Sequence, residues 1–151
     1  MHKQIEPLES PSSDDELLLY LAFPTGLMNI WDQVEPLLKT AIDYADGKYT
    51  TDDIRKYIKH SEMQLWFAAR KDKVEGCCIT RIYDYPQQRR LGIEYTAGVC
   101  LKNWLHFLKP IVEWGKAQGC VAVESYAREG WIRAEKDIQF KKIHTVIRAY
   151  L

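Results

Sequence analysis

The stretch "PQQRRLGIEYTAGV", residues 86–99, decides the reading of the chain. Arg89-x-x-Gly92 has the letters of a glycine-rich loop opening, in which backbone N–H groups cradle a phosphate. The same letters also read as a strand. Leu91 to Thr96 is rich in β-branched and aromatic residues, and Ala97-Gly98 stops it. The residues after Gly92 separate the two readings. Ile93-Glu94-Tyr95-Thr96 has the character of a strand and not of a helix start, so residues 89–97 are expected to form a strand. The strand-to-helix junction then falls at "TAGVCLKNWL", residues 96–105.

Working outward, the chain before this strand reads as β-structure preceded by helices. "MQLWFAAR" (63–70) and "VEGCCITRIYDY" (74–85) flank the polar turn "KDK" and predict an antiparallel hairpin. Adjacent Cys77 and Cys78 should point to opposite faces of the second strand. Earlier, Ile30, Val34, Leu37, Leu38 and Ile42 recur at helical spacing between Leu27 and Tyr44. Asn29 is the expected N-cap, and Pro36 is expected to kink or split that helix. "YTTDDIRKYIKH" predicts a second, short helix with Thr51 as N-cap and Asp52 and Asp53 in its first turn. "ELLLYLAF" (16–23) predicts the first strand, ended by "PTG".

Beyond the deciding stretch, "LKNWLHFLKPIVEWGKAQG" (101–119) carries the clearest apolar stripe: Leu101, Trp104, Leu105, Leu108, Ile111 and Val112. Gly119 is its stop, and Pro110 a local kink. "CVAVESYA" (120–127) predicts a strand, "REGWIRAEKDI" a short helix and "KIHTVIRAYL" (142–151) a final strand. The predicted order is β-α-α-β-β-β-α-β-α-β in one domain, residues 16–151. Residues 1–15, with two prolines and a Ser/Asp cluster, predict an arm that is flexible or ordered by a partner.

Bulk composition narrows the function classes. Lys plus Arg is 21 and Asp plus Glu is 21, so no net field favours nucleic acid or an anionic membrane. No run approaches the roughly 18 apolar residues of a membrane span, and no apolar leader comes after the first residues. The four cysteines, Cys77, Cys78, Cys100 and Cys120, form no C-x-x-C pair. No histidine stands at metal-ligand spacing from them, and they read as free thiols in a reducing compartment. No metal is expected. His106 and His144 read as ordinary surface or core residues.

The order of elements, together with "VAVESYAREGW", Gln139-Phe140 and the final strand, resembles the GCN5-related N-acetyltransferase (GNAT) fold over residues 17–151. Gln139 stands where that family's closing turn usually has glycine. Three stretches look most like the acetyltransferase-like proteins of tailed bacteriophages and prophages: "WDQVEPLLKTAIDYADGKYTTDDI", "MQLWFAAR" and "EGCCITRIYDYP". The resemblance implies an α/β (α+β) fold, a mostly antiparallel mixed sheet with helices on both faces. It also implies acyl transfer from acetyl-coenzyme A (acetyl-CoA), with the fourth and fifth strands splayed to admit the acyl arm.

Active members carry Gln/Arg-x-x-Gly-x-Gly/Ala at the junction after the fourth strand. Here that junction has one glycine, Gly98, with Cys100 and Leu101 where small residues are wanted, so the loop is degraded. Ala97, Gly98, Val99, Cys100 and Lys102 are the cofactor-binding candidates. Glu94 and Glu124, on the two splayed strands, are the candidate general bases. The family's general acid is a tyrosine on the next helix. That helix has Trp131, so Tyr126 is the nearest candidate. Arg128 and Trp131 read as a packing motif.

The resemblance implies two functions. One is an N-acyltransferase with an unassigned acceptor, in the host cytoplasm. The other is a non-catalytic phage virion or assembly component that binds other virion proteins, or itself as an oligomer, through the arm and an aromatic surface. A host-directed inhibitor reads the same way as the second. No nucleic-acid or membrane partner is expected.

Overall fold

The computed structural model describes residues 16–44, 47–99, 102, 105–127 and 130–151. The expected arm, residues 1–15, lies outside them, as do Cys100, Leu101, Trp104 and Arg128. Five strands form one sheet in sequence order: β1 (Leu17–Leu21), β2 (Gln64–Arg70), β3 (Lys73–Asp84), β4 (Arg89–Gly98) and β5 (Ala122–Glu124). The first four are antiparallel, and β5 runs parallel to β4. The helices are α1 (Leu27–Asp43), α2 (Thr51–Lys59), α3 (Leu108–Ala117) and α4 (Gly130–Ala134). This is the mixed α/β architecture that the sequence predicts.

The pleat of the central strands builds two cores. Leu65, Phe67, Cys77 and Ile79 turn to one face, where they meet Ile30, Trp31, Val34 and Leu38 of α1 and Ile54 and Ile58 of α2. Trp66, Ala68 and Cys78 turn to the other face, against Leu108 and Ile111 of α3. Cys77 and Cys78 therefore take opposite faces, as alternation requires. Burial pushes both thiols up to about 12. They pack as small apolar groups. Each fully buried Leu or Ile contributes about 1.5–3 kcal/mol. The buried Trp66 indole donates to Thr80 Oγ1 (3.0 Å), which donates in turn to Gln64 Oε1 (2.9 Å), so these buried polar groups are satisfied. Gln33 ties α1 to the β2–β3 turn: it donates to the Asp72 carbonyl (2.8 Å) and accepts from the Val74 N–H (2.9 Å).

Several expectations are corrected. The cap of α2 is Thr50 and not Thr51. Its hydroxyl accepts from the Asp53 N–H (3.1 Å) while the Asp53 carboxylate accepts from the Thr50 N–H (2.9 Å), a reciprocal capping box. Asn29 lies inside α1, which starts at Leu27 after Gly26. Pro36 does not split α1, because the buried stripe on both sides of it holds one continuous helix.

Regular α3 begins at Leu108, after a short 3-10 turn over Leu105–Phe107, and not at residue 101. Pro110 explains the late start. In the first turn its missing N–H costs nothing, whereas inside a helix begun at 101 it would remove a hydrogen bond. Gly119, at φ +91°, ends the helix as expected. β5 is three residues long, because it pairs with β4 only from Arg90 to Gly92. Residues 142–151 form no strand. A strand needs a partner ladder, and among the described residues β5 is the last strand of the sheet, with none on its outer side.

α3 approaches β4 closely at Gly115. A Cβ there would meet Leu91 Cδ2 at 2.9 Å, and Leu91 is itself fully buried. Gly115→Val should therefore destabilise the fold by about 1–3 kcal/mol through overpacking. Urea unfolding checks this. Combined with Leu91→Ala, the cost should fall below the sum of the two single costs, because the pair shares one space.

Candidate functional site

β4 settles the opening alternative. Arg89 and Gly92 both lie in the strand. Arg89 pairs with Asp84 (2.6 Å) and donates to the Gln118 carbonyl (2.8 Å). It is a strand residue tied to its neighbours, and the phosphate-loop reading of Arg89-x-x-Gly92 does not hold.

Gly92 has a different task. A Cβ at Gly92 would meet the Tyr83 ring at 2.6 Å and Glu94 Oε1 at 3.2 Å. The missing side chain lets the Tyr83 ring lie across β4, and its hydroxyl donates to the Glu94 carboxylate. Glu94 occupies a β-bulge. Ile79 pairs with Tyr95 and Thr80 with Ile93, which leaves Glu94 unopposed across β3. The bulge switches the facing of the strand. Before it, Leu91 and Ile93 face α3; after it, Tyr95 and Ala97 face α1 and α2.

At the same level β4 and β5 part. Their register ends at Gly92↔Glu124. The Ser125 hydroxyl then donates to the Ile93 carbonyl (2.8 Å) in place of a further ladder bond. Beyond that point no strand pairs with this side of β4 among the described residues. A small apolar cleft opens there, lined by Ile93, Thr96, Leu108, Ser125, Trp131 and Phe140.

The expected carboxylates share one face. Val123 packs on the α3-side core, so Glu124 points to the other side, where it pairs with Arg90 (3.2 Å). Gly92 and Glu94 face the same way. Tyr126 is 81% exposed, and the Lys48 ammonium lies 4.7 Å from its ring centre. Arg81 stacks its guanidinium between Tyr57 (5.1 Å) and Tyr83 (5.7 Å) on the Glu94 side. Tyr49 meets Tyr57 and Tyr95 edge-on (5.8 and 6.4 Å). A carboxylate is thus set among tyrosines, with the Arg81 guanidinium stacked on two of them.

Among the cofactor-binding candidates, Ala97 and Gly98 pair with Cys77 and Gly76 at the end of β4. The Val99 N–H donates to the Glu75 carbonyl (3.0 Å). Lys102 is exposed in a short 3-10 turn. Cys100 lies outside the described residues. The first turn of α3 falls later than these candidates assume. Trp131 packs against the α3-side core, in keeping with its reading as a packing residue.

Sequence reasoning missed Tyr83, Arg81 and Ser125. Arg81 and Tyr83 look like ordinary alternating strand residues, and only the register beside Gly92 gives them a place. No group of three or more metal-ligating side chains gathers among the described residues, and no helix there is long and apolar enough to cross a membrane.

No protein-family model matches the chain, and no curated protein sequence matches it. Solved structures do. An aminoglycoside acetyltransferase from an uncultured soil metagenomic sample, solved with sisomicin, superposes with a TM-score of 0.68 at 12% identity; the match covers 91% of this chain and 99% of that one. A Trypanosoma brucei acetyltransferase gives 0.66 at 12% identity, over 90% and 100% of the two chains. A predicted acetyltransferase from Clostridium acetobutylicum, solved with acetyl-CoA, gives 0.66 at 10%, over 89% and 96%.

Burial, then the hydrogen bond to Glu94, then the charge of Glu94 hold the Tyr83 phenol above the ordinary tyrosine value. Because this raised value belongs to the folded state, its contribution to stability is full below about pH 10 and is lost as pH rises further. In a tyrosine titration followed by NMR, Tyr83 should ionise later than an ordinary tyrosine. Glu94→Gln should lower it in part, because burial, the larger cause, remains. A Tyr83 that titrates normally in the wild-type chain would contradict the contact. The likeness in structure, at these low identities, establishes the architecture: the chain has the GCN5-related N-acetyltransferase fold.

Proposed function

We propose that the chain is an acyl-CoA dependent N-acyltransferase. One observation carries this reading. β4 and β5 part at Gly92 and Glu124, and the bulge turns Glu94 out at that same level, towards the face of Arg81 and Tyr83. The parted edge suits the narrow, amide-bearing arm of acetyl-CoA, because a strand edge offers backbone donors and acceptors at regular intervals. The apolar cleft beside Thr96 and Ser125 suits the acyl end. Ala97, Gly98, Val99 and Lys102 would flank the phosphate-bearing end. When bound, acetyl-CoA supplies an activated thioester acyl group that an amine can take, with release of the thiol.

The chain's own residues do the rest. Glu94 accepts the proton that an ammonium acceptor must lose, directly or through a water. Tyr83 fixes the carboxylate from one side by donating to it. Glu124 is the weaker candidate for the base, since Arg90 engages its carboxylate. Tyr126 is assigned the proton that the leaving thiolate takes up.

A second reading has its own support. The junction carries a single glycine, Gly98, with Cys100 and Leu101 where the family pattern wants small residues. That suits a non-catalytic protein that reuses the fold to bind protein, and the resemblance of the sequence to phage proteins suggests a virion or assembly component. The two readings separate on cofactor binding.

Calorimetry with acetyl-CoA should give saturable binding within the range usual for enzyme substrates, ~1 μM–1 mM. Gly98→Trp should abolish it. No heat at millimolar cofactor would exclude the transferase and leave the binding-module reading. Glu94→Gln should keep acetyl-CoA binding and lower amine-dependent thiol release by about 10²–10⁴.

A further inference from the structure

Residues 77, 79, 81 and 83 of β3 lie on one side of the strand. Cys77 and Ile79 are buried under α1 and α2. Arg81 comes next, where that core ends, and it is half-buried. Its guanidinium lies over the Tyr57 ring of α2 (5.1 Å) and the Tyr83 ring of its own strand (5.7 Å). Gly92, its partner across β4, adds no side chain. The two rings hold the cation through their π faces. Neither ring uses the forked N–H groups as a carboxylate would.

The arginines of β2 and β4 are answered by carboxylates. Arg70 pairs with Glu75, Arg89 with Asp84 and Arg90 with Glu124. Arg81 enters no ion pair and no side-chain hydrogen bond among the described residues. Glu94, a carboxylate of the same face, takes its hydrogen bond from the Tyr83 hydroxyl. Tyr83 thus engages both groups, the anion with its hydroxyl and the cation with its ring, and the two do not neutralise each other. A negative and a positive group kept apart on one face are the complement of a zwitterion.

We propose that the acceptor is an amine that also carries a carboxylate, with the carboxylate bound by Arg81 and the amine brought to Glu94. The proposal rests on the transferase reading above. A guanidinium matches a carboxylate in shape and in charge. A phosphate monoester would bring nearly two negative charges to a face where Arg90 is already engaged. A polyamine would set a second ammonium against Arg81. The Tyr83 ring suits the carbon chain between the two charged ends. In the transfer, the amine nitrogen forms the amide bond as the thioester C–S bond breaks. The amine proton passes to Glu94, the leaving thiolate takes one up, and the carboxylate is unchanged.

An acceptor series on the full chain with acetyl-CoA, followed by thiol release, tests this. Unbranched amino acids from glycine to 6-aminohexanoate are each compared with the carboxamide of the same length. At the length that fits, the acid should exceed its carboxamide in kcat/KM by about 10- to 100-fold, the range that hydrogen bonds to a charged group supply. Arg81→Gln should bring the two towards equality, with acetyl-CoA affinity by calorimetry as in the wild type. In the wild-type chain, the Arg81 Nε–H resonance should shift with that acid and hold still with its carboxamide. A chain that acetylates the carboxamides as well as the acids, or keeps its preference in Arg81→Gln, overturns the proposal and leaves the transferase reading standing. So does a chain that prefers aminoalkyl phosphates, or one that binds acetyl-CoA but takes none of the acids. A chain that binds no acetyl-CoA removes the transferase reading, and the proposal with it.

Discussion

The candidate site depends on one departure from regular pairing, the bulge in β4 at Glu94. A strand without it would keep Leu91, Ile93, Tyr95 and Ala97 on one face. The bulge instead hands the first pair to the α3-side core and the second pair to the α1–α2 side. It does so at the level where β5 leaves β4, so the sheet opens where its facing changes. The extra residue is a glutamate. An ionisable group that the ladder does not oppose, beside a parted edge, is an arrangement well suited to chemistry.

Around this point the neighbours are set by space and polarity. Gly92 is needed because the Tyr83 ring crosses where a Cβ would stand. Tyr83 in turn gives the Glu94 carboxylate a donor and loses acidity through burial and through that contact. The Arg81 guanidinium stacks on Tyr57 and Tyr83, so the same face also carries positive charge. An acceptor that enters from the α2 side would meet aromatic surface, a cation and the carboxylate within a few residues of strand.

Much of the fold was legible in the sequence. The hairpin of β2 and β3 is predicted by period-two alternation, and Cys77 and Cys78 take the opposite faces that adjacency requires. The stripe of α1 and the Gly119 stop of α3 are local signals, and they hold. The expectations that failed were set by distant partners or by single caps. Thr50, and not Thr51, caps α2, a shift of one residue that only the Asp53 contact decides. α3 starts late, which places Pro110 in its first turn, where the missing N–H costs nothing. The strand expected at 142–151 has the right letters, but a strand is a relation between two segments, and these residues pair with no strand among the described residues. At the site, Glu94 and Glu124 could be picked out as charges on strands. Gly92 was readable as a strand residue, but its reason, the Tyr83 ring, lies nine positions earlier and appears only in the register.

The central claim is that the parted β4 edge and Glu94 form one working site. The most direct measurement is an amide NMR map of the chain titrated with acetyl-CoA. Shifts concentrated from Ile93 to Val99 and at Ser125, with the Glu94 amide among the largest, are the predicted result. A map with no shifts, or with shifts clustered away from the β4–β5 parting, would contradict the account.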